Sequence, residues 1–142
     1  MIRLATKHDK TEIIKMMREF QDEANGLLKF DNEPYWHKLL DSMIAGAGAI
    51  FYEEGKGLLM STVAPSVFCD KTLILHELAW YVRPEFRGGS IAYRLLDAYT
   101  DFGNKLKEQG RIALFTVTKL KGQPKVNYER FGYLLNSETW GH

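Results

Sequence analysis

One stretch of the chain brings together residues that could hold an anion. It reads Val82-Arg83-Pro84-Glu85-Phe86-Arg87-Gly88-Gly89-Ser90-Ile91-Ala92. An extended run ends at Pro84, two adjacent glycines follow an arginine, and helical periodicity begins at Ile91. A helix N-terminus presents unpaired N–H groups and a partial positive charge. Glycines let the backbone pass close to a phosphate, and Arg87 adds a permanent cation beside the turn. A diphosphate suits such a site, although two glycines equally well make a tight strand-to-helix turn. The chain has neither Gly-x-x-x-x-Gly-Lys-Ser/Thr nor Gly-x-Gly-x-x-Gly. A P-loop and a Rossmann dinucleotide site are therefore not expected.

Groups that could move protons lie on either side of this turn. His76 and Glu77 are adjacent on the preceding extended run, so a regular strand turns them to opposite faces. His76 shares parity with Leu78 and Trp80, and a bulge in the strand would transfer that position to Glu77. Both residues also have ordinary roles open to them, as a hydrogen-bonded core histidine and a solvated or ion-paired carboxylate. Tyr128, downstream, carries a phenolic proton. Cys69 is the lone cysteine, which excludes an internal disulfide and gives no partner base for a nucleophile. His8, His37 and His142 show no metal-ligand spacing, and no metal is expected.

The elements that must position these groups follow from hydrophobic periodicity. Residues 2–6 read as a short strand, and Asp9-Lys10-Thr11-Glu12 as a capping box opening a helix with Ile13, Met16, Met17, Phe20 and Ala24 on one face, ending near Gly26. A second helix starts at Asp31 or Asn32, with Pro34 in its first turn, and Gly46 closes it. Trp36 belongs to its apolar stripe, while Tyr35 and His37 flank that stripe. Residues 49–52 and 58–63 form a hairpin around Gly55, and 73–82 is the longest strand. Ile91, Leu95, Tyr99, Phe102 and Leu106 mark a long amphipathic helix capped at Gly110. A strand over 112–117, a short helix over 125–131 ending at Gly132, and a last strand over 133–135 complete the chain. The order β-α-α-β-β-β-α-β-α-β predicts a mixed α/β sheet, antiparallel in its first half and crossed over in its second, flanked by helices.

With 142 residues, 45% hydrophobic and 26% charged, the whole of 1–142 is expected to be a single domain. A net charge of +1 argues against a dedicated nucleic-acid binder. No stretch approaches the length of a membrane span, and a cytoplasmic location is the simplest expectation.

The glycine turn resembles motif A of the GNAT superfamily of N-acetyltransferases, Arg/Gln-x-x-Gly-x-Gly/Ala, here Arg87-Gly88-Gly89-Ser90-Ile91-Ala92. Val82-x-Pro84-Glu85-Phe86 before it and Leu95-Leu96 after it match as well. Tyr128-Glu129-Arg130-Phe131-Gly132-Tyr133 resembles the family's Tyr-Glu-Lys-Leu-Gly-Phe. Ser90 stands where the first glycine is usual, Lys121 where an asparagine is frequent, and nine residues follow Tyr133. The resemblance implies that acetyl-CoA lays its diphosphate on the backbone of Arg87, Gly88, Gly89, Ser90, Ile91 and Ala92. Its pantetheine arm would pair with the backbone at Trp80 and Val82, and the Val82 N–H would polarise the thioester carbonyl. Tyr128 would protonate the departing thiolate, and His76 or Glu77 would serve as base; His76 lies eleven residues before Arg87, a spacing some members use. Lys119 and Lys121 form either a solvated loop or a contact to the cofactor's 3′-phosphate. The implied activity is direct transfer of acetyl from acetyl-CoA to an amine, of a metabolite, a protein lysine or a protein N-terminus. The alternative is a non-catalytic acyl-CoA-binding or interaction module on the same fold. A homodimer is left open.

Overall fold

The computed structural model describes residues 1–23, 31–118 and 126–135. Its elements are β1 (Arg3–Leu4), α1 (Lys10–Glu23), α2 (Glu33–Ser42), β2 (Gly48–Glu53), β3 (Gly57–Ser66), β4 (Cys69–Val82), α3 (Ile91–Glu108) and β5 (Leu114–Thr116). The strands form one sheet in the order β1-β2-β3-β4-β5. The first three pairings are antiparallel and β4–β5 is parallel, because α3 supplies the crossover between them. This is the mixed sheet expected from the order of elements. No helix among the described residues is long and apolar enough to cross a membrane.

Both faces of the sheet are covered, so β2 is buried at every position. On one face Phe51, Leu59, Leu75, Trp80 and Val82 meet Ile91, Leu95, Leu96, Tyr99 and Leu106 of α3. On the other, Ile50, Tyr52, Leu58, Met60 and Tyr81 meet Ile13, Ile14 and Met16 of α1 and Trp36 and Leu40 of α2. Leu75, Leu95 and Leu96 are completely covered, each contributing about 1.5–3 kcal/mol by burial.

Several boundaries differ from the sequence reading. The capping box sits one turn earlier, at Thr6 and Asp9, where the Thr6 N–H donates to Asp9 Oδ2 at 2.8 Å. Arg3 also binds both oxygens of Asp9, at 2.7 and 2.8 Å, so this carboxylate caps from inside the turn. Glu12, the acid expected in the box, instead pairs with Arg83 at 2.6 Å. The end of α1 near Gly26 lies outside the described residues. α2 is capped by the Asn32 side chain, with Pro34 in the first turn as expected. β4 starts at Cys69, which places this residue in a strand rather than a loop. β5 is confined to three residues, and the short helix is a single 3₁₀ turn, Tyr128–Phe131. Residues 133–135 form no strand: Tyr133 turns its ring onto Phe115, while Leu134 and Leu135 face solvent.

α3 approaches β5 most closely at Gly103, where an added Cβ would meet the Phe115 ring at 2.5 Å. Gly103→Ala would gain about 1 kcal/mol of helix propensity, but it must displace a ring packed between Tyr99 and Tyr133. The substitution is expected to destabilise the protein by roughly 1–3 kcal/mol, seen as a lowered midpoint in urea unfolding.

Candidate active site

β4 and β5 begin as partners and then part. They pair at Ile74–Leu114, Leu75–Phe115 and His76–Thr116, and β5 ends there. On its other edge β4 is irregular at the same level. Ser61 faces Glu77 and Met60 faces Ala79, so Leu78 is an unmatched residue, a β-bulge. The extra residue reverses the alternation. Leu75, Glu77, Trp80 and Val82 therefore share the α3 face, while His76, Ala79 and Tyr81 share the other.

The backbone polarity of β4 follows from the same ladder. The Arg83 N–H donates to the Lys56 carbonyl at 2.8 Å. Antiparallel alternation then turns the N–H and C=O of Trp80 and Val82 away from β3, into the gap that β5 leaves. The Val82 carbonyl is taken by Arg87 Nε at 2.8 Å.

At the apex of this fork sits Glu77, with 8% of its surface exposed. Its carboxylate accepts a hydrogen bond from the backbone N–H of Thr118, beyond the end of β5. Burial outweighs that bond and pushes the carboxyl up to about 8. Three tyrosines feel its charge: Tyr99, Tyr128 and Tyr133. The Tyr99 hydroxyl donates to the Thr116 carbonyl at 2.5 Å, with the Leu75 carbonyl 3.4 Å away. The Tyr133 hydroxyl shares a 2.8 Å hydrogen bond with Thr100. The Tyr128 hydroxyl is buried and has no hydrogen-bond partner among the described residues. Its ring meets Trp80 edge-on, with centroids 6.4 Å apart, and burial raises its pKa. His76 lies across the strand, its Nδ1 3.3 Å from Thr116 Oγ1.

The glycine turn follows β4 as expected. Gly88 has φ +87°, a conformation that disfavours side chains, and a Cβ at Gly89 would meet nothing within 4 Å. Ser90 occupies the N-cap of α3 in right-handed helical geometry, and Ile91 and Ala92 open the first turn. Arg87 does not project over the turn. Its Nη2 binds Glu23 at the end of α1 at 2.6 Å, and its guanidinium lies over the Tyr81 ring. A cation that does reach the cap is Arg94, which the sequence reading passed over. Its Nε donates to Ser90 Oγ at 3.1 Å, and its Nη1 lies 3.4 Å from Glu53, a buried carboxylate that also binds the Met1 ammonium at 2.8 Å. The i, i+4 spacing from Ser90 was the available signal.

Other residues singled out by sequence stand apart from the fork. Cys69 is exposed at the β3–β4 tip. Trp36 is buried, while Tyr35 is exposed and His37 lies 3.7 Å from Glu33. Lys119, Lys121 and His142 fall outside the described residues.

A mixed sheet that forks beside a glycine turn at a helix N-terminus is the arrangement of the GNAT fold. The profile of the acetyltransferase (GNAT) family matches residues 4–133, and the chain belongs to that family. A search of curated protein sequences finds no match. Among solved structures, a predicted acetyltransferase with acetyl-CoA from Clostridium acetobutylicum superposes with TM-score 0.72 at 17% identity, over 100% of this chain and 94% of that one. An aminoglycoside acetyltransferase from an uncultured soil metagenomic sample gives 0.66 at 18%, over 100% and 92%. A ribosomal-protein-alanine N-acetyltransferase from Brucella melitensis gives 0.63 at 17%, over 100% and 94%.

The raised carboxyl of Glu77 has a consequence for stability. A folded-state pKa above the unfolded one favours folding at low pH, and that advantage is lost as pH rises through about 8. Glu77→Gln removes the titration while keeping an acceptor for the Thr118 N–H. The variant is expected to gain in melting temperature relative to wild type between mildly acidic pH and pH about 8. Parallel thermal scans across that range check it.

Proposed function

We propose that the protein is an acetyl-CoA-dependent N-acetyltransferase, a single-domain cytoplasmic enzyme that transfers acetyl directly to an amine. The observation that carries the reading is the buried Tyr128 hydroxyl, close enough to Glu77 to feel its charge and without a partner among the described residues. A buried hydroxyl without a partner costs stability, and a ligand atom in the fork would satisfy it.

The residues present suit the co-substrate. The backbone of Arg87, Gly88, Gly89, Ser90, Ile91 and Ala92 would hold the diphosphate, the open space over Gly89 leaving room for close approach. The backbone of Trp80 and Val82 faces the gap and would take the pantetheine arm as an added strand. Acetyl-CoA supplies the activated acyl group. The Val82 N–H would polarise its carbonyl. We assign the base to Glu77 rather than His76, because the bulge puts Glu77 on the face shared with Trp80 and Tyr128. A carboxyl near 8 is basic enough to take an ammonium proton close to neutral pH. As the new N–C bond forms and the C–S bond breaks, the amine proton passes to Glu77 and the thiolate takes the proton of Tyr128. The raised pKa of Tyr128 keeps that proton in place beforehand.

The acceptor is an amine of a metabolite, a protein lysine or a protein N-terminus.

Three measurements test this reading. Isothermal titration with CoA should show one site; absence of CoA binding overturns the assignment. Gly89→Val should weaken that binding at an unchanged melting temperature, because its side chain meets only the ligand, whereas Gly88→Val should lower both. Tyr128→Phe should retain stability, since no hydrogen bond is lost, and should lose about 10²–10⁴ in kcat. Thiol release across an amine panel reads that loss, and an unchanged kcat under rate-limiting chemistry overturns the acid role.

A further inference from the structure

The start of α3 carries a cation where helix chemistry calls for an anion. Arg94 is the fourth residue of the helix, and a helical side chain leans toward the N-terminus of its own helix. Its guanidinium therefore lies against the first turn, at the positive end of the helix dipole, which disfavours a cation. That turn contains no acidic residue. Ser90, a residue type that ordinarily caps a helix through its hydroxyl, makes no capping bond to the backbone. Its Oγ instead accepts from Arg94 Nε at 3.1 Å.

What holds Arg94 there comes from the sheet. Gly57 pairs with Glu53 on one side and Val82 on the other. A Cβ at Gly57 would lie 3.3 Å from both Ile91 Cγ2 and Leu95 Cδ1. Only a glycine lets the end of the β2–β3 hairpin come this close beneath the first turns of α3. The approach sets the Glu53 carboxylate, 6% exposed, with its Oε2 3.4 Å from Arg94 Nη1. The hairpin end is itself fastened: the Lys56 N–H donates to the Glu53 carbonyl at 2.9 Å, and the Lys56 carbonyl accepts from the Arg83 N–H at 2.8 Å. The Met1 ammonium, 2.8 Å from the same carboxylate oxygen, lowers the pKa of Glu53 against the effect of burial, and Arg94 and Lys56 act in the same sense. Glu53 is thus ionised at neutral pH and fixed in place. A guanidinium has five N–H donors, and contacts through Nε and Nη1 are enough to set its plane.

We propose that Arg94 is a diphosphate-binding side chain and that Glu53 is its positioning residue. The proposal rests on the acetyl-CoA reading above. A diphosphate on the backbone from Arg87 to Ala92 would bring the negative charge that the first turn of α3 lacks, and it would face the guanidinium as well as the N–H groups. Ser90 then has a reason to stand where a glycine is usual, because its hydroxyl orients Arg94 while its backbone opens the helix. Glu53 acts through the guanidinium and not on the ligand.

Isothermal titration of the full chain with CoA, and with dephospho-CoA, which keeps the diphosphate and lacks the 3′-phosphate, tests the proposal. Arg94→Ala should weaken both about tenfold or more, the loss of one charge-assisted hydrogen bond. It should also flatten the fall in affinity with added salt, because a screened charge pair has been removed. Arg94→Lys should retain that salt dependence. Glu53→Gln keeps an acceptor in place and loses the charge; it should weaken CoA in the wild-type background and cause no further weakening once Arg94 is alanine. A merely structural role for either residue would move the thermal midpoint without producing the salt effect or the non-additivity. Three results each overturn the proposal and leave the acetyl-CoA reading standing: Arg94→Ala binding CoA as wild type does, a loss confined to CoA, which marks a 3′-phosphate contact, or additive effects of the two substitutions. Wild-type protein that binds no CoA overturns both.

Discussion

Leu78 has no partner across the β3–β4 ladder, and each later side chain on β4 consequently faces the side it would otherwise turn from. Without that residue, strict alternation would align Glu77 with Tyr81 under α1 and leave His76 under α3. The insertion also bends the strand at the level where β5 stops following it. One added residue thus opens the gap between strands, directs the backbone of Trp80 and Val82 into it, and sets a carboxyl at its apex.

The charge pattern around the fork follows the same economy. Three arginines stand near the end of β4 and the start of α3, and each is matched by carboxylates. Arg83 binds Glu12 and Glu19, Arg87 binds Glu23, and Arg94 reaches Glu53. The first two fasten α1 to the end of β4. Among the described residues little uncompensated cationic charge remains at the turn, so an anion placed there would rely on backbone N–H groups and the helix dipole, with Arg94 and Ser90 as the nearby side chains.

Much of this could be read in advance, for reasons that differ by element. α3 and the hairpins were legible because their apolar positions recur at periods of 3.6 and 2, and burial of a face enforces those periods. The turn from Arg87 to Ala92 was legible because glycine types and their spacing carry the backbone requirement directly. The choice between His76 and Glu77 could not be read, since a bulge shifts parity without any compositional mark. The role of Asp9 was hidden as well: its partner Arg3 precedes the turn it caps, and a local capping pattern does not include that residue. That the Arg87 cation beside the turn is engaged by Glu23 could not be read, because the two are sixty-four residues apart in sequence. The shortness of β5 depends on a side chain: Glu77 takes the Thr118 N–H, a group that strand pairing would otherwise use.

Tyr99 gives the fork a mechanical property. Its hydroxyl reaches across from α3 to the Thr116 carbonyl and lies near that of Leu75, at the last rungs before the strands separate. A parallel pair held only by its own ladder could fray backward or zip forward by a rung, and the gap would drift with it. A phenol anchored in a fully buried ring acts as a crack stopper at that point, pinning where separation begins. The width of the opening is then a property of the folded core rather than of whatever enters it. A ligand arriving there would spend little of its interaction energy on prying strands apart or on choosing a register.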